Sequence, residues 1–212
     1  MANVNEELPL GLLPDWAISF LGRSGAIAPF IPQLIRSVEI QGHPGMTAHL
    51  KTISYGLSSY GYDLRLSPVE FKVFRHIPGT VVNPKNFKEQ NLEPVNLQRD
   101  SWGEFFILPA HSYGLSCTLE KLNVPRDVTL ILLGKSTYAR AGIICNVTPA
   151  EAEFRGNLTI ELSNSSSADC RIYAREGICQ ALFFRGETCC TSYEDRNGKY
   201  QDQPEAIVLP KV

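Results

Sequence analysis

Glu161 stands in the run Leu158-Thr159-Ile160-Glu161-Leu162, where every second residue is aliphatic. Such alternation puts Leu158, Ile160 and Leu162 on one face of a strand and Thr159 and Glu161 on the other. A carboxylate there is either a solvent-facing charge or, if buried among apolar neighbours, an acid with raised proton affinity. The second case suits a group that must take and return a proton near neutral pH. Upstream, Gly134-Lys135-Ser136-Thr137-Tyr138-Ala139-Arg140 follows the apolar run Val128 to Leu133. A strand that delivers a glycine, an ammonium and two hydroxyls can offer N–H groups, hydroxyls and positive charge to an anion. The spacing is not that of a P-loop, which would need a glycine where the chain has Thr129. Taken alone, the segment also reads as a polar turn after a core strand. Gln180, within Gly177 to Phe184, is either an edge residue or a hydrogen-bonding group in a pocket. Tyr193 to Gln203 mixes aromatic, amide and cationic side chains, and taken alone is a solvated C-terminal loop.

Other chemistries lack their residues. The histidines at 43, 49, 76 and 111 form no ligand pattern, and none of the cysteines at 117, 145, 170, 179, 189 and 190 forms a C-x-x-C. A zinc knuckle and a small disulfide scaffold are therefore disfavoured, and each cysteine is read as a small buried hydrophobe. No H-x-E accompanies a P-C-x-x-C, so the zinc nucleobase-deaminase site has no ligands here. No G-x-S-x-G occurs either. The net charge of −2 gives no basic excess for sequence-independent nucleic-acid binding. No apolar run approaches the roughly 18 residues of a membrane span. The first 22 residues carry Glu6 and Glu7 but no Lys or Arg, unlike a secretory leader. A soluble cytoplasmic protein with no membrane or nucleic-acid partner is expected.

The elements that must position these groups follow from pattern. With 212 residues, 43% hydrophobic and 20% charged, the chain can build a real core. At roughly 150 residues per domain it makes one domain with an appendage. Residues 1–50 form the appendage. Pro14 opens and Gly22 closes a helix over Asp15 to Leu21, with Trp16, Phe20 and Leu13 predicted on its buried face. Pro29, Pro32 and Pro44 then break the chain, which predicts an irregular arm packed on the main body. Residues 51–212 carry short β-like runs: Glu70 to Ile77, Glu104 to Leu108, Ser112 to Leu119, Val128 to Leu133, Asn157 to Leu162, Ile178 to Phe184 and Ala206 to Leu209. Turn residues such as Pro78-Gly79 and Asn197-Gly198 separate them, which predicts an all-β sandwich or barrel.

Taken together, several segments resemble the dCTP deaminase family of the dUTPase-like superfamily. They are I-S-Y-G-L-S-S-Y-G-Y-D-L-R (53–65), V-N-P-K-N-F (82–87), V-P-R-D-V (124–128), G-K-S-T-Y-A-R (134–140), N-V-T-P (146–149), L-T-I-E-L-S-N (158–164), E-G-I-C-Q (176–180) and G-K-Y-Q-D-Q (198–203). Each is weak alone; together, in family order over residues 51–212, they are specific. The resemblance implies a mainly β fold, a distorted jelly-roll β-barrel, assembled as a homotrimer with shared active sites. It implies hydrolytic deamination of dCTP to dUTP and ammonia without a catalytic metal, Mg²⁺ entering only as the triphosphate's counterion, and dTTP as a feedback inhibitor. By motif, Glu161 matches the general acid/base, and Ser136 and Arg140 match groups that hold the water and stabilise charge. Lys135, Thr137, Tyr138 and Ala139 complete a nucleotide-binding segment, and Thr159 and Ile160 belong to the strand that reads the cytosine. Gln180, Tyr193, Lys199 and Gln203 match further nucleotide contacts, with the tail closing over the triphosphate. Glu151 is assigned to the deoxyribose 3′-OH.

The sequence departs from the family pattern at an insertion-like stretch from Gly42 to His49, at Phe154-Arg155 in place of Trp-Glu, and at Pro204-Glu205 after Gln203. Two other functions stay open at this level. One is a bifunctional enzyme giving dUMP, with Glu151 as a second base; the other is a nucleotide-binding regulator without catalysis.

Overall fold

The computed structural model describes residues 7–41, 47–75, 77–146 and 148–212. Its strands pair antiparallel throughout the three sheets. The largest sheet runs, edge to edge, through Pro149–Ala150, Val128–Gly134, Gly177–Arg185, Gly61–Arg65, Thr47–Ser58 and Leu34–Gln41, with Gly11–Leu12 added beside Gly177–Arg185. A second runs through Ile143–Cys145, Arg155–Asn164, Tyr113–Asn123, Lys72–Phe74 and Leu92–Pro94, with Ile27–Ala28 beside Tyr113–Asn123. A third small sheet joins Cys170–Tyr173, Gly103–Leu108 and Gln98–Asp100. The inner faces of the two large sheets share one core, in which Leu64, Leu130, Ile178 and Phe183 meet Leu122, Ile160 and Leu162. The fold is mainly β, as expected; its layers form a sandwich, and no closed barrel forms among the described residues. No helix of the described residues is long and apolar enough to cross a membrane.

Three expectations need correction. The helix Asp15–Leu21 forms where Pro14 and Gly22 place it, but Trp16 and Phe20 are 43% and 59% exposed. Leu13, Ala17 and Leu21, four apart, turn to the core with Ile18 instead. Small Ala17 lets the helix sit close to the sheet, which the larger rings would not. Second, the expected irregular arm contains the strand Leu34–Gln41, and the strand Thr47–Ser58 crosses residue 50. These strands pair with each other and join the main sheet through Gly61–Arg65. Backbone pairing overrode the proline-rich look of the segment, because Pro29 and Pro32 precede the strand and remove no ladder donor within it. Residues 42–46, and with them His43, Pro44 and most of the insertion-like stretch, lie outside the described residues, as does His76. Third, Ala206 to Leu209 form no strand; Ile207 and Val208 instead donate their N–H groups to side-chain oxygens of Glu70 and Thr159.

Candidate active site

The strand Arg155–Asn164 buries Leu158, Ile160 and Leu162, which forces Thr159 and Glu161 to the opposite face. That face is the floor of a cavity of about 830 Å³. Across the ladder, Leu115 stands opposite Glu161 and Tyr113 opposite Ser163, so Tyr113 and Leu115 share the floor. Phe74 packs edge-on against Tyr113 and Phe87, with centroids 5.4 and 5.8 Å away, and makes an aromatic wall. Burial pushes the Glu161 carboxyl above the ordinary carboxylate range, opposed only by a hydrogen bond from its own backbone N–H. Tyr113 is also pushed up, first by burial and then by the nearby Glu161 charge. Its hydroxyl accepts from Asn146 Nδ2, and the Asn146 N–H donates to the Glu161 carbonyl at 3.0 Å.

The C-terminal tail roofs this floor. Gln203 accepts from Thr159 Oγ1 at 3.0 Å through its side chain and from Asn157 N at 3.0 Å through its backbone. The close approach needs a glycine: a Cβ on Gly156 would sit 2.5 Å from Gln203 N, and Gly156 has φ +132°. Arg155 braces the roof, donating to Glu194 at 2.9 and 3.0 Å and to Asp202 at 3.1 Å. Tyr193 packs edge-on against buried Phe154, and its hydroxyl accepts from Tyr200 N at 2.9 Å. The Phe154-Arg155 departure is thus a tail anchor. Glu151 reaches the cavity and is paired with Arg196 of the tail. Lys199 lies over the Tyr200 ring at the cavity rim. Glu205 is turned aside and accepts from Ser67 Oγ at 2.7 Å, so its charge does not line the cavity.

Glu151, Thr159, Glu161, Tyr193, Lys199 and Gln203 are therefore brought together in one chain. Ile160 faces the core, leaving only its backbone on the cavity side. Lys135 to Arg140 and Gln180 do not line the cavity. Lys135 Nζ lies 2.5 Å from Asp63 Oδ2 and donates to Ser54 Oγ at 2.8 Å. Gln180, on a central strand and not an edge, donates to Asp63 Oδ1 at 3.1 Å and Ser58 Oγ at 3.2 Å. Ser136, Thr137, Ala139 and Arg140 are exposed on the one-turn helix Ser136–Arg140, while Tyr138 is buried and its hydroxyl accepts from Tyr173 N at 2.8 Å.

Asp63, the hub of the second cluster, was not singled out from sequence; its signal is a lone acid inside the strand-like Gly61-Tyr62-Asp63-Leu64-Arg65. Tyr113 and Phe87 were also missed as lining residues; the first is legible from its two-residue spacing to Leu115, whereas the second reaches the cavity only through tertiary packing. The cysteine reading holds for Cys117 and Cys179, but Cys145, Cys170 and Cys189 are half-buried and Cys190 is exposed. Among the described residues, no three His, Cys, Asp or Glu gather as a metal ligand set.

Residues 28–186 match a family model described as dCTP deaminase-like. Among curated relatives, the dCTP deaminase of Campylobacter fetus is 54% identical over 161 residues, covering 76% of this chain and 82% of that one. The dCTP deaminase of Acidovorax is 47% identical over 198 residues, covering 93% and 96%. Among solved structures, the 2′-deoxycytidine 5′-triphosphate deaminase of Agrobacterium tumefaciens matches with a TM-score of 0.55 at 17% identity, over 84% of this chain and 48% of that one. That last likeness is one of fold.

Proposed function

This chain belongs to the dCTP deaminase family, and we propose that the Glu161 cavity is where water replaces the C4 amine of dCTP, giving dUTP and ammonia. Glu161 carries this reading: a half-buried carboxyl with raised proton affinity on the floor of a cavity sized for a nucleotide. The reaction needs a water at C4, a proton at N3 and a proton on the departing amine. As carboxylate, Glu161 accepts the water's proton and hands it to N3. The same group then takes the proton of the new C4 hydroxyl and passes it to the amine as the C4–N bond breaks, so the C4 carbonyl forms, ammonia leaves and the carboxylate is regenerated. Placement and desolvation supply the activation of the water.

The rest of the proposed site spans two subunits. Ser136 and Arg140 are exposed and lie outside the Glu161 cavity. For one nucleotide to touch both sets, a second copy must bring its Ser136–Arg140 helix to the cavity. The strand that leads into this helix exposes Ile131 and Leu133, each 39%, and nearby Ile144 is 53% exposed, which supports a subunit contact there. We assign a homotrimer with three such sites. Ser136 fixes the water and Arg140 stabilises developing charge. Lys199 faces the triphosphate with its Mg²⁺, Tyr193 adds a contact and Gln203 closes the roof, while Lys135 and Gln180, both held on Asp63, steady the strand end that leads into the Ser136–Arg140 helix. dTTP competes for the same pocket, and the enzyme works in the cytoplasm.

Glu151 receives the deoxyribose 3′-OH. Its pairing with Arg196 leaves it placed as a fixed acceptor and not as a base beside the α-phosphate. The end product is therefore dUTP. Incubation with dCTP and Mg²⁺ should release ammonia and leave the triphosphate intact. Pyrophosphate release that disappears in Glu151→Gln would show the bifunctional chemistry instead, and absence of ammonia would overturn the whole reading.

A further inference from the structure

Two thiols, one from each large sheet, neighbour Gly134. Cys179 is fully buried in Gly177–Arg185, a strand held by neighbours on both sides. Its ladder partner on Val128–Gly134 is Gly134. A Cβ built on Gly134 would stand 3.3 Å from the Cβ of Cys145. Cys145 thus takes the space that a side chain at 134 would fill, beside Cys179. The neighbouring Cys145 thiol, and then burial, push the Cys179 thiol well up. The Cys145 thiol in turn donates to the Asn146 carbonyl, with sulfur and oxygen 3.7 Å apart. Cys145 is half-buried and ends the three-residue edge strand Ile143–Cys145.

We propose that Cys145 and Cys179 form an oxidisable dithiol, whose disulfide ties the two sheets together and displaces Asn146. The oxidant is a peroxide. Cys145, the more accessible sulfur, loses its proton and attacks one peroxide oxygen. The O–O bond breaks, leaving a sulfenic acid on Cys145 and a hydroxide that takes up the proton as water. The Cys179 sulfur then attacks the Cys145 sulfur. An S–S bond forms, the S–O bond breaks, and the hydroxide leaves with the Cys179 proton as a second water. The two sulfurs together lose two electrons, and the peroxide gains them.

An S–S bond is about 2.05 Å long, so one of the two sulfurs must move toward the other. Cys179 is fixed in a central strand, so the approach falls on Cys145 at the end of its edge strand. The Cys145 thiol proton is lost, and with it the hydrogen bond to the Asn146 carbonyl. Asn146 holds the Glu161 carbonyl and the Tyr113 hydroxyl, and Thr148 and Pro149 just beyond line the cavity. Oxidation therefore reaches the cavity through Asn146.

The test uses the full chain, reduced, freed of reductant and then given hydrogen peroxide. The expected result is a mass loss of ~2 Da per chain and a non-reducing digest in which the peptides of Cys145 and Cys179 are joined. Ammonia release from dCTP should fall by roughly fivefold or more, and dithiothreitol should restore both mass and rate. Cys145→Ser and, separately, Cys179→Ala should each prevent the link and keep the rate under the same peroxide dose. Cys145 is half-buried, so Cys145→Ser keeps the test open if Cys179→Ala does not fold. Oxygen added without a 145–179 link, a link only among other cysteines, or a complete link with unchanged ammonia release would each overturn the proposal. The rate arm rests on the deaminase reading. Failure of that reading shows separately, as no ammonia from the reduced protein, and the mass arm then decides the dithiol alone.

Discussion

Glu161 and Asp63 are both acids facing inward from strands, yet their surroundings give them opposite tasks. Asp63 is 3% exposed and saturated with donors: Lys135 on one oxygen and Gln180 on the other. It is a fixed charge that holds other side chains. Removing it in Asp63→Ala leaves the Lys135 ammonium, whose side chain is 10% exposed, without its counterion. Breaking a buried pair from one side costs about 3–5 kcal/mol. A loss of unfolding free energy of that order, read from the denaturant midpoint and slope, is expected, and a change near zero would mean that solvent already screens the pair. Glu161 has no such donors, and burial alone raises its proton affinity. Glu161→Gln keeps size and hydrogen bonding but cannot carry a proton. Its turnover of dCTP should fall by more than about 100-fold with nucleotide binding retained. A variant that keeps most of its rate removes Glu161 from the mechanism. The same burial has a sign in stability. An acid whose folded proton affinity is raised is tolerated while protonated, and its ionisation costs stability as pH rises from the ordinary carboxylate range through the raised value. Glu161→Gln should therefore melt higher than the parent at pH 8 and no higher at pH 4. Equal differences at both pH values would show that the carboxylate is not desolvated.

At the level of elements, the tail is held down by side chains of the strand it covers. Arg155 reaches Glu194 and Asp202, and Gln203 lies against Gly156. The Arg155 pairs are partly exposed, so each contributes about 0–1 kcal/mol to global stability. Their effect is local. Arg155→Ala should leave the unfolding midpoint nearly unchanged, raise KM for dCTP several-fold, and expose the tail to trypsin after Arg196 and Lys199. A KM equal to the parent's would mean that Gln203 and Tyr193 close the roof unaided.

The whole molecule is where the two halves of the proposed site must meet. Glu161 faces its own chain's cavity, whereas the exposed residues of the Ser136–Arg140 helix do not line it. Shared sites predict complementation. Chains carrying Glu161→Gln are inactive on one side of the site, and chains carrying Ser136→Ala with Arg140→Ala are inactive on the other. Co-refolded equimolar mixtures should recover up to about a quarter of parent activity, since about a quarter of the sites in random trimers join two intact halves. A fully active monomer in sedimentation, or no recovery in a refolded mixture that forms trimers, would refute the shared site.

The amino-acid sequence by itself determined the class of fold, the strand that carries Glu161 and the face on which Glu161 lies. These depend on period-two burial and on turn residues, both local properties of the chain. The motifs also carried the family, because each is a short contiguous run whose residue types and spacing are local properties of the chain. Tertiary structure alone decided the rest. It put Trp16 and Phe20 outward, because the nearest sheet accepts Ala17 and Ile18. It made Leu34–Gln41 a strand, because Thr47–Ser58 offers it a partner that no local pattern announces. It placed Lys135 and Gln180 on Asp63, about 70 and 120 residues away in sequence, and Glu161 in a separate cavity. Contacts between such distant residues depend on how the sheets fold over one another, and single-strand periodicity carries no record of that.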